Sequence, residues 1–465
     1  MIISVIGSGG KTTKIKELAK KYVNENKTVL ITTSTHMFIE EKTLVDPTYE
    51  QIMDEIKSCG YVHTGNRASE NKITGLDSNL LEKLKQAVDV ILIEADGSKH
   101  LPLKYPRDHE PCVDKDSDQV ILLTSLKGLN QPVKEVVHGY EACDQLDKDS
   151  EVTPEIIQYL LRVYLDKLKG YSIQIEVKEA KTLYEKAIAS LLESNRDVAL
   201  LDPMWFESQP KLVILGAGHI SRYVNQLAKM LDFYTIVIDN REEFANQGYF
   251  PDANEVHCID YSKAPLYFPK ESNTCYVIVT RGHKDDKLCL EFALQADSMY
   301  LGMIGSKKKV KQTFDTLLQE GYTKEQLSKV HAPIGLAIKA VTPAEIAVSI
   351  LAQIIEIKNK RSTSSLTADL LDLSEPGVLC VILSKKGSTP RPVGSMMYVT
   401  KERIYGSIGG GNIENHVILN ARNHPEVSIQ HYELNNSEGA TLGMICGGSN
   451  DVLFIPIKKK GDTKC

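Results

Sequence analysis

The stretch VIGSGGKTT, residues 5–13, ends in Gly10-Lys11-Thr12 as a phosphate-binding loop does, but it is short at the front. In the pattern G-x-x-x-x-G-K-[ST] the first glycine stands five places before the second, and here that place holds Val5. The apolar run IISVI (2–6) before the loop reads as a buried strand. Behind it, Ile15, Leu18, Ala19, Tyr22 and Val23 recur at helical spacing. A glycine loop between strand and helix can turn the amides of Gly7, Gly9 and Gly10 inward, because glycine tolerates positive φ and close approach. The helix dipole then favours an anion. Gly7, Ser8, Gly9, Gly10, Lys11, Thr12 and Thr13 are the expected nucleotide cradle, with Lys11 on the outer phosphates and Thr12 on a magnesium ion. The segment VDVILIEADGS (88–98) places Glu94 and Asp96 at the end of a further strand, the metal-positioning arrangement of phosphoryl-transfer sites. If a phosphate is broken, Lys11 and Asp96 are the catalytic candidates. The alternative is a tight strand-to-helix turn with Lys11 in solvent.

Outward from the loop, TVLITT (28–33) is a second strand, and the strand–helix alternation of this first block reads as a parallel α/β sheet. Two prolines in LDPMWFESQP (201–210) break that pattern. The alternation restarts at KLVILGAGHIS (211–221), followed by strands in YTIVIDN (234–240), TCYVIVTRG (274–282) and SMYLGMIGS (298–306). Gly216-Ala217-Gly218-His219-Ile220-Ser221 departs from G-x-G-x-x-G only at its last position. Asp239 follows about twenty residues on, at the end of the next strand, as a ribose-binding acidic residue does. The loops after two later strands carry Arg281, Gly282 and His283, and Gly305, Ser306 and Lys307. Together they favour an anionic ligand at the carboxyl edge, where such sheets bind. Either loop could instead be a solvated rim, and His219 could simply cap its turn.

A polar linker (358–367) leads to a third block of about 90 residues, rich in glycine turns and strand-like runs such as VLCVILS (378–384) and DVLFIPI (451–457). KKGSTPRPVGS (385–395) offers Gly387, Ser388 and Arg391 to a phosphate. Gly409, Gly410 and Gly411 mark a close backbone approach or a sharp turn. Near the end, Cys446 lies among Gly443, Gly447 and Gly448, either as a reachable thiol or as a small buried hydrophobe.

The 465 residues suggest roughly three domains. The expected fold class is α/β: a P-loop-like parallel α/β domain (1–205), a Rossmann domain (210–360) and a small mixed or mainly β domain (368–460). A net charge of −6 offers no electrostatic footprint for nucleic acid. Nine scattered cysteines without a C-x-x-C pair fit a reducing compartment. The start does not resemble a signal peptide, and no apolar run reaches the ~18 residues a membrane span needs. A cytoplasmic protein is the expectation.

GAGHIS, VTRGHKDD, YLGMIGSKKKV and HAPIGLAIKAVTPAEIAVSILAQII (331–355) together resemble the Rossmann domain of the XdhC/CoxI family, and KKGSTPRPVGSMMYVT, GSIGGGNIE and GMICGG resemble that family's smaller domain. GSGGKTT, TTSTH (32–36) and EADGSKHLPLKYPRDHEP (94–111) are similar to the YqeC family, of which the short glycine loop is a feature. The XdhC/CoxI resemblance implies an accessory factor that binds molybdenum cofactor and assists its sulfuration and insertion into hydroxylases such as xanthine dehydrogenase. The YqeC resemblance implies a selenium-dependent branch. It follows that the cofactor sits between the Rossmann crevice and the glycine-rich small domain, met by Arg391 and the Ser306-Lys307 loop, with Cys446 near the metal or carrying the chalcogen. The implied partners are a hydroxylase apoenzyme and a sulfur or selenium donor protein, with a domain-swapped homodimer as the expected assembly. Two departures stand out. The small domain follows the Rossmann domain rather than preceding it, and Asn412 stands where many family members have cysteine. Two other readings stay open: an NAD(P)-dependent oxidoreductase using the Rossmann domain, and an NTP-dependent chaperone or scaffold that never touches the cofactor.

Overall fold

The protein is described from a computed structural model. It covers the chain except residues 207–208, 270, 362–369, 371–374, 388–390, 424–425, 434–447 and 459–465, and gives the backbone alone for His283, Arg361 and Asn412. The chain divides into two compact units, one built on Met1–Leu201 and the other beginning at Asp202.

In the first unit the strand Ile2–Gly7 is buried at every position, because it runs through the middle of a sheet covered on both faces. Its neighbours are Val90–Glu94 on one side and Gln119–Ser125 on the other, both parallel to it. Beyond these lie Val29–Thr33 and Tyr61–Ser69 at one end and Ile173–Lys178 at the other, again parallel. The strand Val90–Glu94 thus pairs on one side of Ile2–Gly7, and Gln119–Ser125, the next strand of this sheet along the chain, pairs on the other. Such a reversal falls at the carboxyl end of the first strand, the kind of position where open α/β sheets take ligands. The helix Lys11–Asn24 leaves from that point and buries Ile15, Ala19 and Tyr22 against the sheet.

The second unit carries a six-stranded parallel sheet in the order Glu255–Cys258, Tyr234–Asp239, Lys211–Leu215, Thr274–Ile278, Tyr300–Met303, Val330–His331. This is the 3-2-1-4-5-6 order of the Rossmann fold. One face of the sheet is covered by the helices His219–Met230 and Pro343–Arg361, through Val224, Ala228, Ile350 and Ile354. The other is covered by His283–Ala293 and Lys307–Gln319, through Leu290 and Leu317.

A five-stranded sheet follows in the order Ile404–Gly406, Met396–Val399, Gly377–Gly387, Gly448–Ile457, Ser428–Glu433. Its first two pairings are antiparallel. The helix Gly411–Asn423 packs on it through Ile413, Val417 and Ala421. The triple glycine, read from sequence as a close backbone approach or a sharp turn, thus opens a helix, because the amphipathic run behind it has a sheet face to cover.

Candidate functional site

The glycine loop is held in one shape by three left-handed residues, Gly7, Gly9 and Gly10, with φ of 87°, 82° and 111°. At Gly7 a Cβ would stand 2.1 Å from the carbonyl oxygen of Leu123, so the neighbouring strand leaves no room for a side chain. The Ser8 amide donates to that same carbonyl at 3.0 Å and the Ser8 hydroxyl to the Pro102 carbonyl at 2.8 Å. Gly10 caps the helix without a side-chain hydrogen bond, and the first turn, Lys11, Thr12 and Thr13, carries no acidic residue. The first-turn amides therefore have no side-chain cap, and the first turn itself brings no carboxylate to the positive end of the helix dipole.

Lys11 lies under the loop, 5 % exposed, with its ammonium donating to the Gly7 carbonyl (2.8 Å) and to Ser98 Oγ (3.1 Å). Burial pushes its pKa below the ordinary lysine value, and nearby Asp96 and Glu94 pull against that shift. Thr12 donates to Glu94 Oε2 at 3.3 Å. Burial raises the Glu94 carboxyl above the usual range, and the Lys11 charge and the Thr12 hydroxyl only partly offset this.

Asp96 is placed differently from Glu94. It is fully buried, accepts from the Gly7 amide at 3.1 Å and from the Tyr164 hydroxyl, and is ion-paired with Lys104. Lys104 in turn pairs with Glu110 at 2.9 Å and is itself 2 % exposed. Although burial opposes it, the Lys104 hydrogen bond holds Glu110 below the usual carboxylate range. Asp96 thus ties the loop to buried Lys104 and Tyr164, and through Lys104 to partly buried Glu110, and Glu94 is the carboxylate that meets Thr12. Among the described residues no group of three or more His, Cys, Asp or Glu could hold a metal ion by itself. Any magnesium here would need Thr12, Glu94 and phosphate oxygens together. Sequence reasoning missed Lys104, Glu110 and Tyr164. The first two lie in the stretch 94–111, but nothing local ties Tyr164, on the helix Pro154–Lys167, to the loop.

In the Rossmann sheet, Gly216 has φ of 112°, and a Cβ there would stand 2.5 Å from the Val279 carbonyl oxygen, so the turn requires glycine. Gly218, Gly282 and Ser306 are the N-caps of the three helices that follow the adjacent strands Lys211–Leu215, Thr274–Ile278 and Tyr300–Met303. Their positive ends share the carboxyl edge, with His219, Arg281, Ser306 and Lys307 at least partly exposed on it. Gly305 packs against the Lys309 side chain. The two loops are joined by Lys309, whose ammonium pairs with buried Asp286, and Asp286 also accepts from Thr280 Oγ1 at 2.6 Å. Asp239 is at the expected strand end but its carboxylate is occupied. It accepts from the Ala217 amide (2.7 Å) and from Arg241 through the amide (3.0 Å), Nε (2.9 Å) and NH2 (2.7 Å). Against the effect of burial, the Arg241 guanidinium holds Asp239 below the ordinary aspartate value. Arg241 carries no motif signal and was not among the expected site residues.

In the small domain Gly409, Gly410 and Gly411 all have positive φ. Their cradle is filled from within: Glu414 Oε2 accepts from the Ile408 amide (3.1 Å), the Gly410 amide (2.9 Å) and Ser407 Oγ (2.7 Å). Gly387 and Arg391 are exposed. Ser388 and Cys446 lie outside the described residues.

With this geometry stand three family matches. The YqeC protein family matches residues 3–141, the XdhC Rossmann domain 212–354, and the XdhC and CoxI family 370–429. The chain thus joins, as one fusion, a segment similar to the YqeC family to segments similar to the XdhC Rossmann domain and the XdhC and CoxI family. Its similar relatives include the uncharacterized protein YqeC of Escherichia coli K12, 38% identical over 127 residues, or 26% of this chain and 50% of that protein. The uncharacterized protein YqeB of the same organism is 32% identical over 152 residues, covering 32% of the fusion and 28% of YqeB. A probable xanthine dehydrogenase subunit of Bacillus subtilis is 29% identical over 154 residues, covering 33% of the fusion and 44% of that protein. The fusion thus spans half or less of the length of each of these curated relatives. No helix among the described residues is long and apolar enough to cross a membrane.

Proposed function

We propose that this chain is an accessory factor for a molybdenum hydroxylase of the xanthine dehydrogenase kind, working through three parts, residues 1–205, 210–360 and 368–460. The observation that carries the reading is the pairing, in one chain, of the XdhC Rossmann match with the XdhC and CoxI match. In this reading the Rossmann edge binds molybdenum cofactor. The fit is electrostatic: three helix N-termini with exposed Arg281 and Lys307 suit the phosphate of a pterin-type cofactor. Arg391 and Ser388 would join from the small domain, and Cys446 would carry sulfur or selenium from a donor protein to the cofactor before the hydroxylase apoenzyme takes it up. The glycine loop binds a nucleoside triphosphate, with the amides of the first helical turn and the Lys11 ammonium on the phosphates, and Thr12 with Glu94 on the magnesium side. Its occupancy would gate cofactor loading. Protein purified from a molybdenum-replete host, assayed by mass spectrometry for molybdenum and by fluorescence for oxidised pterin, tests this. Both are expected in wild type and lost in an Arg281→Ala/Lys307→Ala variant. Folded protein without either, yet still capturing the hydroxylase, would leave the scaffold reading.

A second reading, a dinucleotide in the Rossmann crevice, is favoured by Arg241. With Asp239 already occupied, an arginine beside that position suits a 2′-phosphate rather than a free ribose hydroxyl. Titration with NADPH and NADH separates it from the first: tight NADPH binding without retained pterin supports the oxidoreductase.

A further inference from the structure

Beside the glycine loop lies a cavity that neither the motif nor the family resemblance assigns. Its volume is about 540 Å³, within the 300–1,000 Å³ range of small-molecule sites. Thr12, from the first turn after the loop, forms part of its wall, and the same wall continues down the helix to Asn24. At 1.5 Å per residue these twelve steps span about 18 Å, enough for a nucleoside extending from a phosphate at the loop.

The lining changes character across its depth. Ile15, Ala19, Ile31 and Met37 make an apolar floor, each buried. Two rings stand in the wall, Tyr61, which is 37% exposed, and buried His63. The His63 ring is held by Thr43 Oγ1 at 2.9 Å and Met37 Sδ at 3.3 Å, and burial keeps its pKa below the ordinary histidine value, so it presents a neutral face. Toward solvent the lining turns polar, and Lys16 crosses to Glu40 at 2.8 Å. Both ends of that pair are exposed, so it adds little stability and can open without large cost. Apolar floor, neutral rings and polar margin suit a flat uncharged heterocycle with a hydroxyl-bearing linker.

We infer that this cavity receives the base and sugar of a nucleoside phosphate whose phosphates lie on the glycine loop. The inference rests on the phosphate-binding reading of that loop, so its test separates the two. Binding of ATP, GTP and CTP, each with magnesium, and of tripolyphosphate is measured by calorimetry on the full chain. At least one nucleotide is expected to bind tenfold or more tighter than tripolyphosphate. Val23→Trp, which fills the cavity far from the loop, should weaken that nucleotide at least tenfold and leave tripolyphosphate within twofold. Lys11→Ala should weaken both. Tyr61→Ala, at a more exposed position, is the second variant should Val23→Trp fail to fold, with about a fivefold loss confined to the nucleotide. Equal affinities for nucleotides and tripolyphosphate overturn the cavity inference and leave the loop reading intact. So does a folded Val23→Trp or Tyr61→Ala protein that binds its nucleotide as wild type does. Failure of every phosphate ligand to bind wild type overturns both.

Discussion

In the proposed reading the Lys11 charge serves a phosphate, while burial works against that charge. Burial lowers its pKa, so between that lowered value and the ordinary lysine value the unfolded chain binds more protons than the folded one. Stability therefore rises with pH across that window, while affinity for an anion falls, because the neutral amine loses its attraction. The expected result is tripolyphosphate binding that weakens as pH climbs toward the lysine range, starting below the pH at which a free lysine would titrate. Calorimetry across pH checks this, and Lys11→Ala should bind more weakly throughout and lose that pH step. Asp96 makes the opposite case, a residue whose first duty is structural. Asp96→Asn would leave buried Lys104 with Glu110 as its remaining carboxylate partner. Removing one member of a buried pair costs about 3–5 kcal/mol, and with Glu110 still present the lower end, about 3 kcal/mol, is expected in urea unfolding. Lys104→Met in the Asp96→Asn background should recover part of it.

Among elements, Gly7 and Gly10 of the loop are required for different reasons. Gly7 meets the Leu123 carbonyl and has positive φ, whereas Gly10 has positive φ but open space around its Cβ position. Gly10→Ala should therefore cost only backbone strain, about 1–3 kcal/mol. Gly7→Ala should cost distinctly more, because it also pushes the strand Gln119–Ser125 away from its register with Ile2–Gly7. Thermal midpoints of the two variants, compared side by side, test that order. This requirement was invisible locally: the motif marks Gly7 as useful to a ligand, yet its tightest contact is with a strand more than a hundred residues on. The triple glycine teaches the same lesson. Read alone, Gly409 to Gly411 suggest backbone approaching a ligand or a sharp turn, but Glu414, one turn into the helix, reaches back and takes two of the loop's amides, Ile408 and Gly410.

At the scale of the whole molecule, two compact units share one chain, and a ligand of the glycine loop should act on the one built on Met1–Leu201. Tripolyphosphate at a hundred times its dissociation constant should stabilise that unit by about 2.7 kcal/mol. Calorimetric scans should show this as an upward shift of its transition in wild type and a clearly smaller shift in Lys11→Ala at the same concentration. The two parallel sheets and their glycine turns could be read from residue order, because buried parallel strands are continuous apolar runs and a glycine turn must follow the first of them. The motifs GSGGKTT and GAGHIS stand at the ends of such strands, and Asp239 falls at its expected strand end. The short loop of residues 5–13, whose ending suggested a phosphate and whose length did not, needed only its flanking strand and helix to be placed. What the partners of each carboxylate are was decided by tertiary structure. Glu94 and Asp96 are two residues apart and look alike as letters. Yet one meets Thr12 at the helix start and the other is enclosed by Lys104 and Tyr164, because the chain leaves the strand between them and turns toward different neighbours. Arg241 on Asp239 and the cavity along Lys11–Asn24 belong to the same class. Adjacency in space between separated segments, and the charge balance it sets, has no signature in sequence spacing.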